Sequence, residues 1–132
     1  MIVIDSSAVV AIAHDEPEAL HFLQAIDTDG SARMSTANYL ETSNVMEGRH
    51  GASGEAMLVQ VVRRLRLAGL RFVAFDQLQA ELAREGFRRF GKGRHPAGLN
   101  FGDCFAYALA KALDAPLLFK GDDFAKTDLT RA

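Results

Sequence analysis

Five carboxylates are the residues of this chain best placed to do chemistry: Asp5, Glu41, Asp103 and the adjacent Asp122 and Asp123. Asp5 closes the apolar run Ile2-Val3-Ile4, Asp103 opens an apolar helical pattern, and Asp122-Asp123 follow Leu117-Leu118-Phe119. Most of them thus stand where a strand ends or a helix begins, and in an open α/β sheet ligands bind outside the carboxyl ends of the strands. Like charges gathered there repel: at about 4 Å and an effective dielectric of about 20, a pair costs roughly 4 kcal/mol. Such a cluster makes sense only with a cation or a shared proton to neutralise it. Oxygen-only ligands suit magnesium or manganese rather than zinc. His14, His21, His50 and His95 show no zinc-ligand spacing. A Gly-x-Ser-x-Gly elbow and the glycine-rich phosphate loops are absent, which argues against serine hydrolases and nucleotide-cradling folds.

Each acid also has a local explanation. Asp5 can cap the following helix, although Ser6 or Ser7 can do the same. Asp103 in a first helical turn is favourable through the helix dipole alone. Glu41 lies beside Tyr39 and Leu40 near the apolar side of its helix, where an acid is unusual unless it faces a polar pocket. Asp122 and Asp123 follow Gly121, as turn residues do. The conjunction is more informative than any member.

The elements that must position them follow from patterning. Residues 2–4 read as a buried strand and Ala8 to Ala13 as a helix. Asp15-Glu16-Pro17-Glu18 predicts the start of a second helix, which Asp29-Gly30 ends. A strand over 32–35 precedes a helix from Thr36 or Asn38 to about Arg49, carrying Glu41. Residues 48–54 read as a loop before a helix to Leu67; Leu70 to Phe75 reads as a strand. Asp76 caps a helix whose Leu78, Leu82 and Phe87 share a face, and Gly91 to Gly98 is a basic, glycine-rich loop. A helix over 102–113 and a strand over 117–120 complete the pattern, with a short strand after Thr127 as a weaker addition. Alternating strands and helices predict an α/β fold: a small parallel sheet of four to five strands flanked by helices on both faces. Right-handed crossovers would bring Asp5 and Asp122-Asp123 to one edge.

The 132 residues suit one domain spanning 1–132, and an apolar fraction of 48% with 24% charged residues is ordinary for a globular chain. The start lacks a basic n-region and no run approaches a membrane span, so a cytoplasmic protein without membrane partners is expected. A single cysteine, Cys104, agrees with a reducing compartment and reads as a buried structural thiol. The net charge of −2 conceals an asymmetry: Arg63 to Arg94 holds nine bases and three acids, +6, leaving six bases and fourteen acids, −8, elsewhere. A basic stretch beside an acidic pole suits a polyanionic substrate; two solvated helix faces are the alternative.

Four segments then carry a resemblance: Val3-Ile4-Asp5-Ser6-Ser7-Ala8, Tyr39-Leu40-Glu41, Leu99 through Ala108 with its Asn-Phe-Gly-Asp-Cys core, and Leu117 through Phe124 with Lys-Gly-Asp-Asp-Phe. In order and spacing they resemble the PIN-domain family, and within it the VapC-type toxins of bacterial toxin–antitoxin pairs. The resemblance implies a magnesium-dependent endoribonuclease, manganese being an alternative ion. It makes Asp5, Glu41 and Asp103 the core acids, with Asp5 and Asp103 as metal ligands. It favours Asp123 over Asp122 as the fourth, because the acid just before the phenylalanine is the characteristic one. Ser6, Ser7 or Asp122 would contact a metal-bound water or a phosphate. Arg84, Arg88, Arg89, Lys92 and Arg94 would hold the RNA backbone, with Arg94 and His95 near the mouth of the site. A cognate antitoxin and a homodimer are also implied, the latter through helices within 8–26 or 54–67.

Two other classes compete. An aspartyl-nucleophile phosphatase needs a second acid two residues after the first, where this chain has Ser7. A phospho-receiver domain would use Lys120 at the last strand, but needs an early acidic pair that is missing.

Overall fold

The computed structural model describes all residues, 1–132. The chain runs β1 (Val3–Ile4), α1 (Ser6–Ala13), α2 (Ala19–Asp29), β2 (Arg33–Ser35), α3 (Thr36–His50), α4 (Ala52–Leu67), β3 (Arg71–Val73), α5 (Gln77–Phe90), α6 (Phe101–Leu113) and β4 (Leu117–Leu118), with a 3-10 turn at Phe124–Lys126. All four strands are parallel, in the order β3-β2-β1-β4. The chain winds outward from β1 in one direction through β2 and β3, then returns to the other side of β1 for β4. The crevice between β1 and β4 is therefore the topological switch point, where open α/β sheets bind ligands. Asp5 N–H donates to the Leu118 carbonyl at 3.0 Å, fixing the ends of these two strands side by side.

The core lies on both faces of the sheet. Alternation along β1 sends Ile2 and Ile4 into one apolar cluster with Met34, Met46 and Leu58, and Val3 into another with Tyr107, Leu109 and Phe119. A fifth strand is only rudimentary: Arg131 makes a single parallel bridge to Leu117.

Four local expectations are corrected. Helix α2 starts at Ala19 rather than at Pro17, because Asp15 adopts a left-handed conformation and Glu16 and Glu18 pair with Lys120 instead of lining a first turn. The loop read over 48–54 shrinks to Gly51; Gly48 stays helical on an open face, and Gly54 lets α4 approach the Met46 carbonyl, which an added Cβ would meet at 2.1 Å. On α5 the buried residues are Gln79, Ala83, Gly86 and Phe90, while Leu78 and Phe87 are exposed. The small residues win that face because α6 packs closely there: a Cβ on Gly86 would stand 2.5 Å from the Tyr107 ring. Neither Ser6 nor Ser7 caps α1; Asp5 does.

Candidate active site

Asp5 leaves β1 and caps α1 in one residue. Its Oδ2 accepts from Ser7 N–H at 3.0 Å and from Ser7 Oγ at 2.6 Å, whereas its Oδ1 is buried with no partner. Burial pushes the Asp5 carboxyl up to about 7 against the pull of the Ser7 bonds, and the charges of Asp103 and Glu41 push it further. Ser7 Oγ also accepts from Lys120 N–H at 3.0 Å, tying the segment after β4 to the same carboxylate.

Glu41 reaches the site from α3. Its Oε1 lies 2.5 Å from Ser6 Oγ and 3.2 Å from Asn38 Nδ2, and Asn38 Nδ2 also donates to the Gly102 carbonyl at 3.0 Å. Asn38 is fully buried. Its amide thus fixes one edge of Glu41 to the first turn of α6. Gly102 makes the other edge: a Cβ there would lie 1.5 Å from Glu41 Oε2.

Asp103 belongs to a capping box on α6. Its N–H donates to Asn100 Oδ1 at 2.9 Å, and its Oδ2 accepts from Asn100 N–H at 3.0 Å. Burial raises its pKa to about 6, the Asn100 bond opposes this, and the charges of Asp123 and Glu41 add to it. The charge of Asp123 is thus felt at Asp103, from a position just before the buried Phe124 that anchors the 3-10 turn. Asp122 lines a different cleft, with Glu18, His21, Lys120 and Arg131.

No cation answers these acids. Lys120 Nζ is drawn 2.6 Å from Glu16 and 3.4 Å from Glu18. Its position disfavours a receiver-type lysine, and Ser7 is an orienter of Asp5 with no acid at that position for phosphatase chemistry. Of the basic candidates, Arg84 and Arg88 line a cleft of about 660 Å³ with Phe75, Phe87, Phe101 and Phe105, beside the first turn of α6. Arg89 pairs with Asp128, Lys92 is exposed on its loop, and Arg94 lies over the Phe87 ring at 5.5 Å. His95 is turned into its own loop, accepting from Ala97 N–H at 3.0 Å. Cys104 is buried, with burial pushing its thiol up to about 11, so it is a packing residue.

The donor set fits a hard divalent cation. It offers an unpartnered buried carboxylate oxygen and carboxyls with raised proton affinity, with no base nearby. No three acidic, histidine or cysteine side chains form a ready-made chelating group. An ion such as magnesium, which keeps several waters and uses one or two carboxylates, suits that spacing. Asn38 and Gly102 were missed in the sequence. Asn38 lies three residues before Glu41, on the same helix face, and that spacing was the available signal.

A parallel sheet with carboxylates gathered at its switch point agrees with the family match: the PIN domain model covers residues 2–129, and the chain belongs to the PIN-domain family. Its relatives narrow this to the VapC branch. The chain is 52% identical over 127 residues to Ribonuclease VapC of Mycolicibacterium smegmatis, covering 96% of each protein. It is 50% identical over 127 residues to Ribonuclease VapC30 of Mycobacterium tuberculosis, covering 96% of this chain and 95% of that protein. Among solved structures, VapC20 of Mycobacterium tuberculosis, described as a sarcin–ricin-loop-cleaving toxin, shares the fold with a TM-score of 0.76 at 15% identity, over 100% of this chain and 98% of its own. A VapBC2 complex from Rickettsia felis bound to a promoter DNA fragment gives 0.73 at 14% identity, with the same coverage.

Proposed function

We propose that this chain is a metal-dependent endoribonuclease, the toxin of a toxin–antitoxin pair. The observation that carries the reading is the set of uncompensated acids, Asp5, Glu41 and Asp103, at the switch point of a chain about half identical to proteins named VapC ribonucleases. Asp5 and Asp103 are the ligands for magnesium or manganese. Such an ion would supply the positive charge that neutralises the carboxylates and makes the attacking water more acidic. Glu41, held by Asn38 and Ser6, orients the attacking water and accepts its proton. Asp123, whose charge is felt at Asp103, is the fourth acid, and Ser7 keeps Asp5 in its rotamer. Arg84 and Arg88 steer and hold the RNA backbone, so cleavage should weaken steeply with added salt.

A short labelled RNA incubated with magnesium tests the reading. Cleavage stopped by a chelator and by Asp103→Asn supports it; cleavage indifferent to both removes it. The reading includes two protein partners: an antitoxin, which the likeness to a VapBC complex supports, and a second copy of the chain. The second copy would pack through the helices within 8–26 or 54–67, or on the exposed aromatic face of α3, α5 and α6 that carries Leu40, Phe87 and Phe101. Sedimentation of wild type against Phe101→Glu distinguishes a dimer built on that face from one built elsewhere.

A further inference from the structure

Away from the acids, two histidines 36 residues apart meet nitrogen to nitrogen. His14 Nε2 and His50 Nε2 are 2.7 Å apart, with ring centroids 5.0 Å apart and planes tilted by 48°. His14 is the C-cap of α1 and His50 the last residue of α3, so both rings stand at helix C-termini, the ends whose dipoles favour a cation. His14 Nδ1 is buried without a partner, which leaves Nε2 as the ring's only engaged polar atom. His50 is exposed, so one side of the pair is open to water.

We propose that His14 and His50 form a binding site for a borderline divalent transition ion, zinc or nickel, that bridges the far ends of α1 and α3. Two imidazole nitrogens bound to one tetrahedral ion at about 2.0–2.1 Å stand about 3.3 Å apart. The observed pair needs to open only slightly, and the exposed His50 ring can supply that movement. Water completes the shell, which makes the site exchangeable rather than structural. Imidazole ligands select this ion class against magnesium, which requires oxygen. Both helices begin at the acid cluster, where Ser6 Oγ on α1 lies 3.1 Å from the Asn38 carbonyl and 2.5 Å from Glu41 on α3. An ion at the histidines would tie the same two helices at their other ends, independently of the magnesium site.

The test uses the double variant Asp5→Asn/Asp103→Asn, which disables the acid site, titrated calorimetrically with zinc alone. The proposal expects uptake of one zinc per chain, a shift of both imidazole spectra in NMR, and loss of both on adding His50→Ala but not His21→Ala. Magnesium should leave the imidazole signals unmoved. Absence of zinc uptake by the double variant, or uptake that survives His50→Ala, overturns it. As His50 is exposed, its removal leaves the core intact, and a circular dichroism melt of the same sample verifies that the variant is folded.

Discussion

The two ends of the sheet treat the same residue type in opposite ways. At the amino end, Asp29 accepts from the Met1 amine at 2.8 Å, and Asp128 is met by Lys111 at 3.0 Å, Arg89 at 3.2 Å and the Tyr107 hydroxyl at 3.0 Å. Burial acts upward on both, yet these donors hold them below the usual carboxylate range. At the carboxyl end, burial raises Asp5 and Asp103, and their neighbours are other acids. Carboxylates at one end are part of the fold's stability. At the other they are a standing cost, retained where a polar ligand would relieve it.

The largest expected effect comes from removing one uncompensated charge. Asp103→Asn should lower cleavage by roughly 100- to 1,000-fold or more, in the range of lost transition-state electrostatics, while melting no lower than wild type. Asparagine still accepts from Asn100 N–H, so both halves of the capping box survive; Asp103→Ala keeps the Asn100 cap but loses the bond from Asn100 N–H, and should be less stable by about 1 kcal/mol. A clear loss of stability in Asp103→Asn would make this acid a structural residue like Asp128.

Next comes the seat of Glu41. Gly102→Ala places a methyl where Glu41 Oε2 now lies. The carboxylate can swing away, so folding is preserved, but misplacement by about 1 Å costs about 100-fold in rate. A kinetic comparison with Glu41→Gln checks this; an alanine variant as active as wild type would mean that Glu41 does not act from its present position.

The two ends should also answer pH oppositely. Asp5 and Asp103 hold protons more tightly folded than at their ordinary value of 3.8, so between about pH 4 and about 7 the folded state binds the extra protons and stability falls as pH rises. Asp29 and Asp128 contribute stability above their ordinary value and lose it as pH falls below it. Urea unfolding at pH 5 and pH 8 should show a wild-type loss that Asp5→Asn/Asp103→Asn abolishes. Because protons compete with the ion, millimolar magnesium should raise the wild-type melting temperature by a few degrees at pH 8, less at pH 6, and not at all in the double variant. The smallest effect belongs to the amino end. Asp128→Asn should cost about 1 kcal/mol of stability by weakening its bonds to Lys111 and Tyr107, with cleavage per folded molecule unchanged.

Much of this is legible in the sequence itself. The apolar run ending at Asp5, Asp76 as a cap and the alternation of strands with helices all reappear, because short-range patterning and capping chemistry are local. The misreadings were tertiary. Gly48 reads as a breaker but stays helical on an open face, and Leu78 and Phe87 read as a core face that Ala83 and Gly86 occupy instead. The second follows from the close packing of α6 on α5, which no single segment encodes.

Sequence alone determined that five carboxylates punctuate an alternating α/β chain, and hence that a cation-binding edge was to be expected. Only the tertiary structure decided which acids face one another. It brought the charge of Asp123 within reach of Asp103, drew Lys120 off to Glu16 and Glu18, and seated Glu41 against Gly102 through Asn38. It also joined His14 to His50. Electrostatic environment depends on distance through space, and residues separated by 20 to 104 positions acquire that distance only when the crossovers close around the sheet.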